Sequence, residues 1–170
     1  MASRVTWRKA RLEDAALLAL WDEDPDVIAS NPNEAGVTDW AAEISRDDPY
    51  SEILIFEEDG RPIGVVGDID PAREATHYWG ECEAGLRAFD IWIGAAADRG
   101  RGLGAEMMRQ ALARAFADPQ VKAVIIDPLA SNVRALRFYE RIGFRPVERR
   151  RFGQDDCLVM RYDRPEDSAP

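Results

Sequence analysis

The chain has 170 residues, 46% of them hydrophobic, and carries 22 basic against 32 acidic residues for a net charge of −10. That length suits one cored domain over residues 1–170, and the acidic balance disfavours a nucleic-acid partner. An apolar run of about 18 residues and a signal-peptide pattern are both lacking, and Cys82, Cys157 and the one histidine form no metal spacing, so the expectation is a cytoplasmic protein with no membrane partner and no metal.

Val5 and Trp7 alternate with polar neighbours, so residues 4–9 predict a first strand. Glu13 to Trp21 predict a helix, with Leu12, Ala16, Leu17, Leu20 and Trp21 as its core face. Residues 22–38 are polar, broken by Pro25, Pro32 and Gly36, and are expected to be a mobile loop around at most a short helix. Trp40 to Ile44 suggest a helical turn. Ile53 to Glu57 and Pro62 to Asp70 predict two strands joined by the turn Glu58-Asp59-Gly60. Pro71 to Glu83 is an irregular insertion carrying His77, Tyr78 and Trp79. Gly85 to Gly94 predict the next strand.

The stretch that follows holds Gly100, Gly102 and Gly104 and opens a helix. Leu103, Met107, Met108, Ala111, Leu112, Ala115 and Phe116 fall on one face of it. Unpaired N–H groups at a helix start favour an anion, and glycine lets that anion approach the backbone. Arg99 and Arg101 add positive charge. A phosphate or pyrophosphate is the expected ligand. A P-loop is excluded by the missing Gly-Lys-Ser/Thr. The dinucleotide pattern matches at Gly100, Gly102 and Ala105, but the 65 residues after Ala105 are too few for a dinucleotide-binding domain.

Asp118-Pro119 ends that helix. Val121 to Ile126 is almost wholly apolar, as a strand buried on both faces would be. Ser131 or Asn132 caps a further helix that runs through Arg141 and stops at Gly143. Val147 to Phe152 and Cys157 to Tyr162 predict a closing hairpin, and residues 163–170 a frayed tail. The strands at 89–94 and 121–126, linked by a helix, should be parallel neighbours. Charge divides unevenly: residues 1–98 hold 8 basic and 22 acidic residues, and residues 99–170 hold 14 and 10. Such a split suits a site between a polyanion on the second half and a cation on the first.

Arg99-x-x-Gly102-x-Gly104 after a strand resembles the acetyl-CoA loop of the GNAT superfamily of N-acetyltransferases. Asn132 through Tyr139 to Gly143-Phe144 resembles the second cofactor helix of that family. Within it, Phe89-Asp90-Ile91-Trp92-Ile93-Gly94, Asp118-Pro119, Asp127-Pro128 with Ser131-Asn132, and the Tyr78-Trp79 insertion look most like the aminoglycoside 6'-N-acetyltransferases. The resemblance covers residues 4–162. It implies a mixed α/β fold, a central mixed sheet of about seven strands flanked by helices, in which two central strands splay apart. It also implies acetyl-CoA as co-substrate, held by Arg99, Gly100, Arg101, Gly102, Leu103, Gly104 and Ala105. The backbone of Ile91, Trp92 and Ile93, and Asn132, Ala135 and Phe138, would hold the rest of that molecule.

Acetyl transfer to an amine needs the thioester held, the developing oxyanion stabilised and the ammonium deprotonated. With no Ser/His/Asp or Cys/His set, direct attack by the amine is expected. Asp90 shares a strand face with Trp92, where partial desolvation would favour a cationic partner or a proton, and is the expected base. The resemblance makes Tyr139 the acid for the leaving thiolate; otherwise it is a core aromatic. Asp127 either binds a second ammonium or caps the turn before Pro128. Trp79, Glu81 and Glu83 either line the acceptor site or belong to a solvated loop. The expected acceptor is a small polycationic amine, with aminoglycosides leading. A hydroxylysine of the siderophore type, a polyamine or a protein amine are alternatives, as is an acetyl-CoA sensor without turnover. Monomer and homodimer both remain open.

Overall fold

A computed structural model describes residues 2–31 and 38–166. Seven strands make one sheet: β1 (Val5–Lys9), β2 (Ser51–Glu58), β3 (Arg61–Ile69), β4 (Leu86–Ile93), β5 (Ala123–Ile126), β6 (Arg145–Phe152) and β7 (Asp155–Asp163). Their order is β1-β2-β3-β4-β5-β7-β6. All neighbours are antiparallel except β4 and β5, which are parallel as expected. The helices are α1 (Ala15–Trp21), α2 (Pro25–Ser30), α3 (Trp40–Ser45), α4 (Leu103–Phe116) and α5 (Val133–Ile142).

Alternation along the strands sorts the core into two layers. Leu54, Phe56, Val66, Phe89, Val124, Ile126 and Met160 face Leu103, Met107, Met108, Ala111 and Leu112 of α4, with Leu136 and Tyr139 of α5 packed alongside. On the opposite face the cover comes in two pieces. Ile55 and Val65 meet Leu18 and Trp21 of α1, with Trp40 of α3 and Trp92 of β4 against them. Ala88, Ala123, Ile125 and Val159 meet Trp79 of the 71–83 segment and Phe152. β5 is buried at all four positions, as its apolar run requires.

The short helix allowed for within the expected loop covers residues 25–30: Asp24 accepts from the Asp26 N–H as N-cap and Pro25 starts the first turn. Three expectations are corrected. The buried positions of α1 are Leu18 and Trp21, while Leu12 and Leu20 are 61% and 60% exposed. In a stretch with apolar residues on every side the period alone cannot choose the face, and contact with Ile55 and Val65 does. The last hairpin turns at Gly153-Gln154 alone, because pairing continues to Phe152↔Asp155. Finally, Arg164 is anchored, donating to the carbonyls of Val121 at 2.8 Å, Phe116 at 3.1 Å and Asp118 at 2.6 Å. Residues 32–37 of the expected loop and 167–170 of the expected tail lie outside the described residues. Among those described, no helix is long and apolar enough to cross a membrane.

Candidate active site

The parallel ladder between β4 and β5 is short, pairing Leu86, Arg87 and Ala88 with Ala123, Val124 and Ile125. Beyond Ile126 the chain stays with β7: Leu158 donates to the Pro128 carbonyl at 2.9 Å and Ala130 to the Asp156 carbonyl at 2.8 Å. β4 meanwhile continues along β3 to Ile93. The two central strands therefore part, and a cleft of about 1440 Å³ opens between them. Its lining includes Asp90, Ile91, Trp92, Ile93, Gly104, Asn132, Phe138 and Tyr139.

Backbone direction within β4 follows from its pairing. The Gly94 N–H donates to the Ile63 carbonyl at 2.9 Å. In an antiparallel ladder alternate residues point the same way, so Trp92 and Asp90 bond toward β3. Ile91 and Ile93 then turn their peptide groups into the cleft. Of the three residues expected to offer backbone there, Trp92 is excluded because its peptide belongs to the β3 ladder. Its indole Nε1 is a buried donor without a hydrogen-bond partner among the described residues.

The glycine turn meets one end of this cleft. Gly100 and Gly102 have φ of +72° and +78°, a left-handed backbone that strains any other L residue. Gly102 is the N-cap of α4 and no side chain caps the helix, so the first-turn N–H groups stay open. Gly100, Gly102, Gly104 and Ala105 line the cleft, whereas Leu103 turns its side chain into the core and offers only backbone. A Cβ on Gly104 would sit 3.4 Å from Phe138 and 3.6 Å from Ile93, so residue 104 faces the channel between α5 and β4.

The two arginines part ways. Arg101 is turned away from the cleft and donates to Glu58 at 2.8 Å and Asp98 at 3.1 Å. Asp98, itself 4% exposed, also accepts two bonds from Arg61 at 2.9 Å. Arg61 and then Arg101 hold its pKa below the usual carboxylate range. Arg101 is thus a brace beneath the turn, and its expected side-chain contact with phosphate is corrected. Arg99 does line the cleft, with its guanidinium 2.9 Å from Asp26 and 3.2 Å from Asp24, and also donates to the Ile93 and Gly94 carbonyls.

At the other end lie the carboxylates. Asp90 is exposed, placed between Ala88 under one cover and Trp92 under the other, so it floors the gap between the two pieces. The expected desolvation of Asp90 by Trp92 is corrected, because Trp92 packs into the α1–α3 layer. Asp127 lines the cleft at the end of β5 and accepts from the Tyr78 hydroxyl at 2.6 Å. The charges of Asp90 and Asp127 both reach Tyr139, whose hydroxyl pKa is pushed well up, by burial first and by them second. That hydroxyl stays protonated at neutral pH. Asn132 Oδ1 caps α5 by accepting from the Ala135 N–H at 3.2 Å, which leaves its amide nitrogen for the cleft.

Trp79 lines the cleft, but Glu81 and Glu83 do not. Glu83 pairs with Arg161 at 2.8 Å and lies 3.8 Å from Lys122, and Glu81 is exposed. Of the two alternatives stated for them, the structure takes the solvated loop: the segment leaves both outside the cleft while Glu74, Tyr78 and Trp79 line it. Tyr78 and Trp40 also line the cleft, and nothing in the sequence is a reason to place them there. Among the described residues no group of three or more His, Cys, Asp or Glu could hold a metal.

Comparison with known proteins agrees with this fold. The aminoglycoside N(6')-acetyltransferase type 1 of Klebsiella pneumoniae is 34% identical over 97 residues, 56% of this chain and 46% of that protein. The kanamycin resistance protein of Rhizobium radiobacter is 38% identical over 72 residues, covering 42% of this chain and 67% of that one. The match thus spans about half the length of the first of these relatives. A solved structure of AAC(6')-Ib with ribostamycin and coenzyme A superposes with a TM-score of 0.85 at 26% identity, over 94% of this chain and 93% of that one. The acetyltransferase (GNAT) domain family matches residues 11–152, a span that takes in both strands of the splay and the glycine turn between them. On that match the chain belongs to the GNAT acetyltransferase family.

Proposed function

We propose that this chain transfers an acetyl group from acetyl-CoA to an amine of a small polycationic acceptor of the aminoglycoside kind, as one acetyltransferase domain. The observation that carries this reading is the parted β4–β5 pair. It sets an anion-binding helix start at one end of a cleft and two carboxylates, Asp90 and Asp127, toward the other. The relatives named for aminoglycoside acetylation support the choice of acceptor.

The residues present fit the co-substrate. Open N–H groups from Gly102 to Ala105 suit the pyrophosphate, and the glycines leave no Cβ to keep it away. Ile91 and Ile93 offer peptide groups to the pantetheine arm, and Asn132 a side-chain amide. Ala135 and Phe138 pack the other side. When bound, acetyl-CoA supplies the activated acetyl group. Asp90 holds the attacking ammonium and takes its proton, directly or through one water. Tyr139, kept protonated, gives its proton to the departing sulfur. No covalent bond to the protein is required.

Free thiol released on mixing the protein with acetyl-CoA and an amine panel tests the proposal. The panel should hold kanamycin, spermidine and a lysine peptide, with mass spectrometry of the product. Fastest release with kanamycin, and one acetyl added per release, are expected. Acetyl-CoA binding without thiol release from any amine would replace the enzyme by a sensor. Preference for spermidine or the peptide would replace the acceptor.

A further inference from the structure

The proposed function makes Asp90 the base and gives Asp127 no part, and the surroundings of Asp127 supply one. Tyr78, 42% exposed, donates to Asp127 Oδ2 at 2.6 Å, and its ring is packed on one side. That ring stacks on Phe152 with centroids 4.7 Å apart and planes 5° from parallel. Trp79 meets both rings edge-on, at 5.9 Å and 5.0 Å. Arg150 lies over Phe152 at 4.8 Å and donates to the Trp79 carbonyl at 2.7 Å. Below, the Tyr78 N–H donates at 3.0 Å to Glu74, a carboxylate only 2% exposed whose other oxygen takes the Thr76 N–H and hydroxyl.

A phenol stacked on one ring, met edge-on by another and tied through its own N–H is directed toward Asp127. A hydrogen bond given to a carboxylate stabilises the ionised form and fills an acceptor position that a proton would otherwise take. It also fixes the direction of the other oxygen. Asp127 is thereby suited to stay an anion of fixed position, which is what an ammonium anchor needs and what a base does not.

We propose that Tyr78 is a positioning residue that holds Asp127 as the anchor for a second ammonium of the acceptor, leaving Asp90 as the base. This rests on the acetyl-transfer reading above. It narrows the substrate class to acceptors with at least two amines, one at Asp90 to react and one at Asp127 to be held.

Tyr78→Phe keeps the stack and removes the donor. With kanamycin as acceptor, its KM should rise by roughly tenfold while kcat changes far less, since a hydrogen bond to a charged group is lost. The rise should be smaller for an acceptor with one amine. Asp127→Asn should raise the same KM, and Tyr78→Phe/Asp127→Asn should be no worse than Asp127→Asn alone, the signature of a shared role. An unchanged kanamycin KM in Tyr78→Phe would overturn the proposal, and so would additive effects in the double variant. A fall in kcat at constant KM in both single variants would make Asp127 the base and overturn it too. Failure of the parent reading looks different: the unaltered protein would release no thiol with kanamycin at all.

Discussion

The two ends of the cleft are built from different materials. The co-substrate end is mostly backbone: a ladder that stops at Ala88 and Ile125, a left-handed turn at Gly100 and Gly102, and the open start of α4. The acceptor end is side chains from separate stretches, Asp90 from β4, Asp127 from the end of β5 and Tyr78 from an irregular segment. Backbone sites tolerate changes of side chain but not of conformation. A side-chain site tolerates neither the loss of a group nor its displacement. The first should therefore fail through co-substrate affinity, and the second through turnover at Asp90 and acceptor KM at Asp127 and Tyr78.

Substitution at Asp90 exposes that difference most sharply. Asp90→Asn keeps the shape and removes charge and basicity, so kcat should drop by ~10²–10⁴-fold, the usual weight of a general base. Calorimetry should show acetyl-CoA affinity barely altered. Normal turnover in this variant with loss in Asp127→Asn would move the base to the neighbouring strand.

A smaller loss is expected for Tyr139→Phe, on the order of ten- to a hundredfold in kcat. Burial and the charges of Asp90 and Asp127 raise the hydroxyl pKa, so the group is protonated throughout the neutral range. The ratio of rates between variant and parent should stay flat from about pH 6 to about pH 9, well below the ordinary tyrosine value. A ratio that changes with a titration in that window would place another group in the role. A better leaving thiol should lessen the loss.

Gly104→Val tests the other end. The new methyls would enter the channel beside Phe138 and Ile93. Overpacking of about 1–3 kcal/mol corresponds to acetyl-CoA binding weaker by about 5- to 150-fold, with the acceptor KM little changed. Unchanged affinity in a folded variant would remove residue 104 from the path of the co-substrate. Smallest of all should be Arg101→Gln. Because Arg101 braces Asp98 and Glu58 beneath the turn, its loss should lower Tm by a few degrees and leave acetyl-CoA affinity within about twofold.

The same contrast explains what the sequence made legible. The parallel pair, the apolar face of α4 and the Asn132 cap follow from periodicity and capping chemistry, local properties that a chain carries openly. The glycine turn was readable because only glycine adopts that backbone freely. Arg101 was misread because charge near a phosphate loop does not show that Glu58, 43 residues earlier, will claim it. Glu81 and Glu83 were left open between two readings, and Tyr78 passed over, for a related reason: in an irregular segment no period tells which side chains turn inward. The α2 helix, the short helix allowed for in the expected loop of residues 22–38, is bounded by a local signal, Asp24 before Pro25.

The parted strands carry a further consequence, one of thermodynamic linkage. A strand whose outer edge is open inside a sheet is incomplete on its own, much like the edge that a peptide fills when it adds a strand. Here a small molecule would complete it. The amides of Ile91 and Ile93 should exchange with solvent deuterium faster than those of Asp90 and Trp92 in the free protein, and slow when acetyl-CoA binds. A ligand at about 100 times its Kd adds about 2.7 kcal/mol to stability, or roughly 5–10 °C in Tm for a chain of this size. The co-substrate is then part of the sheet as well as the donor, and the folded population would rise and fall with its supply.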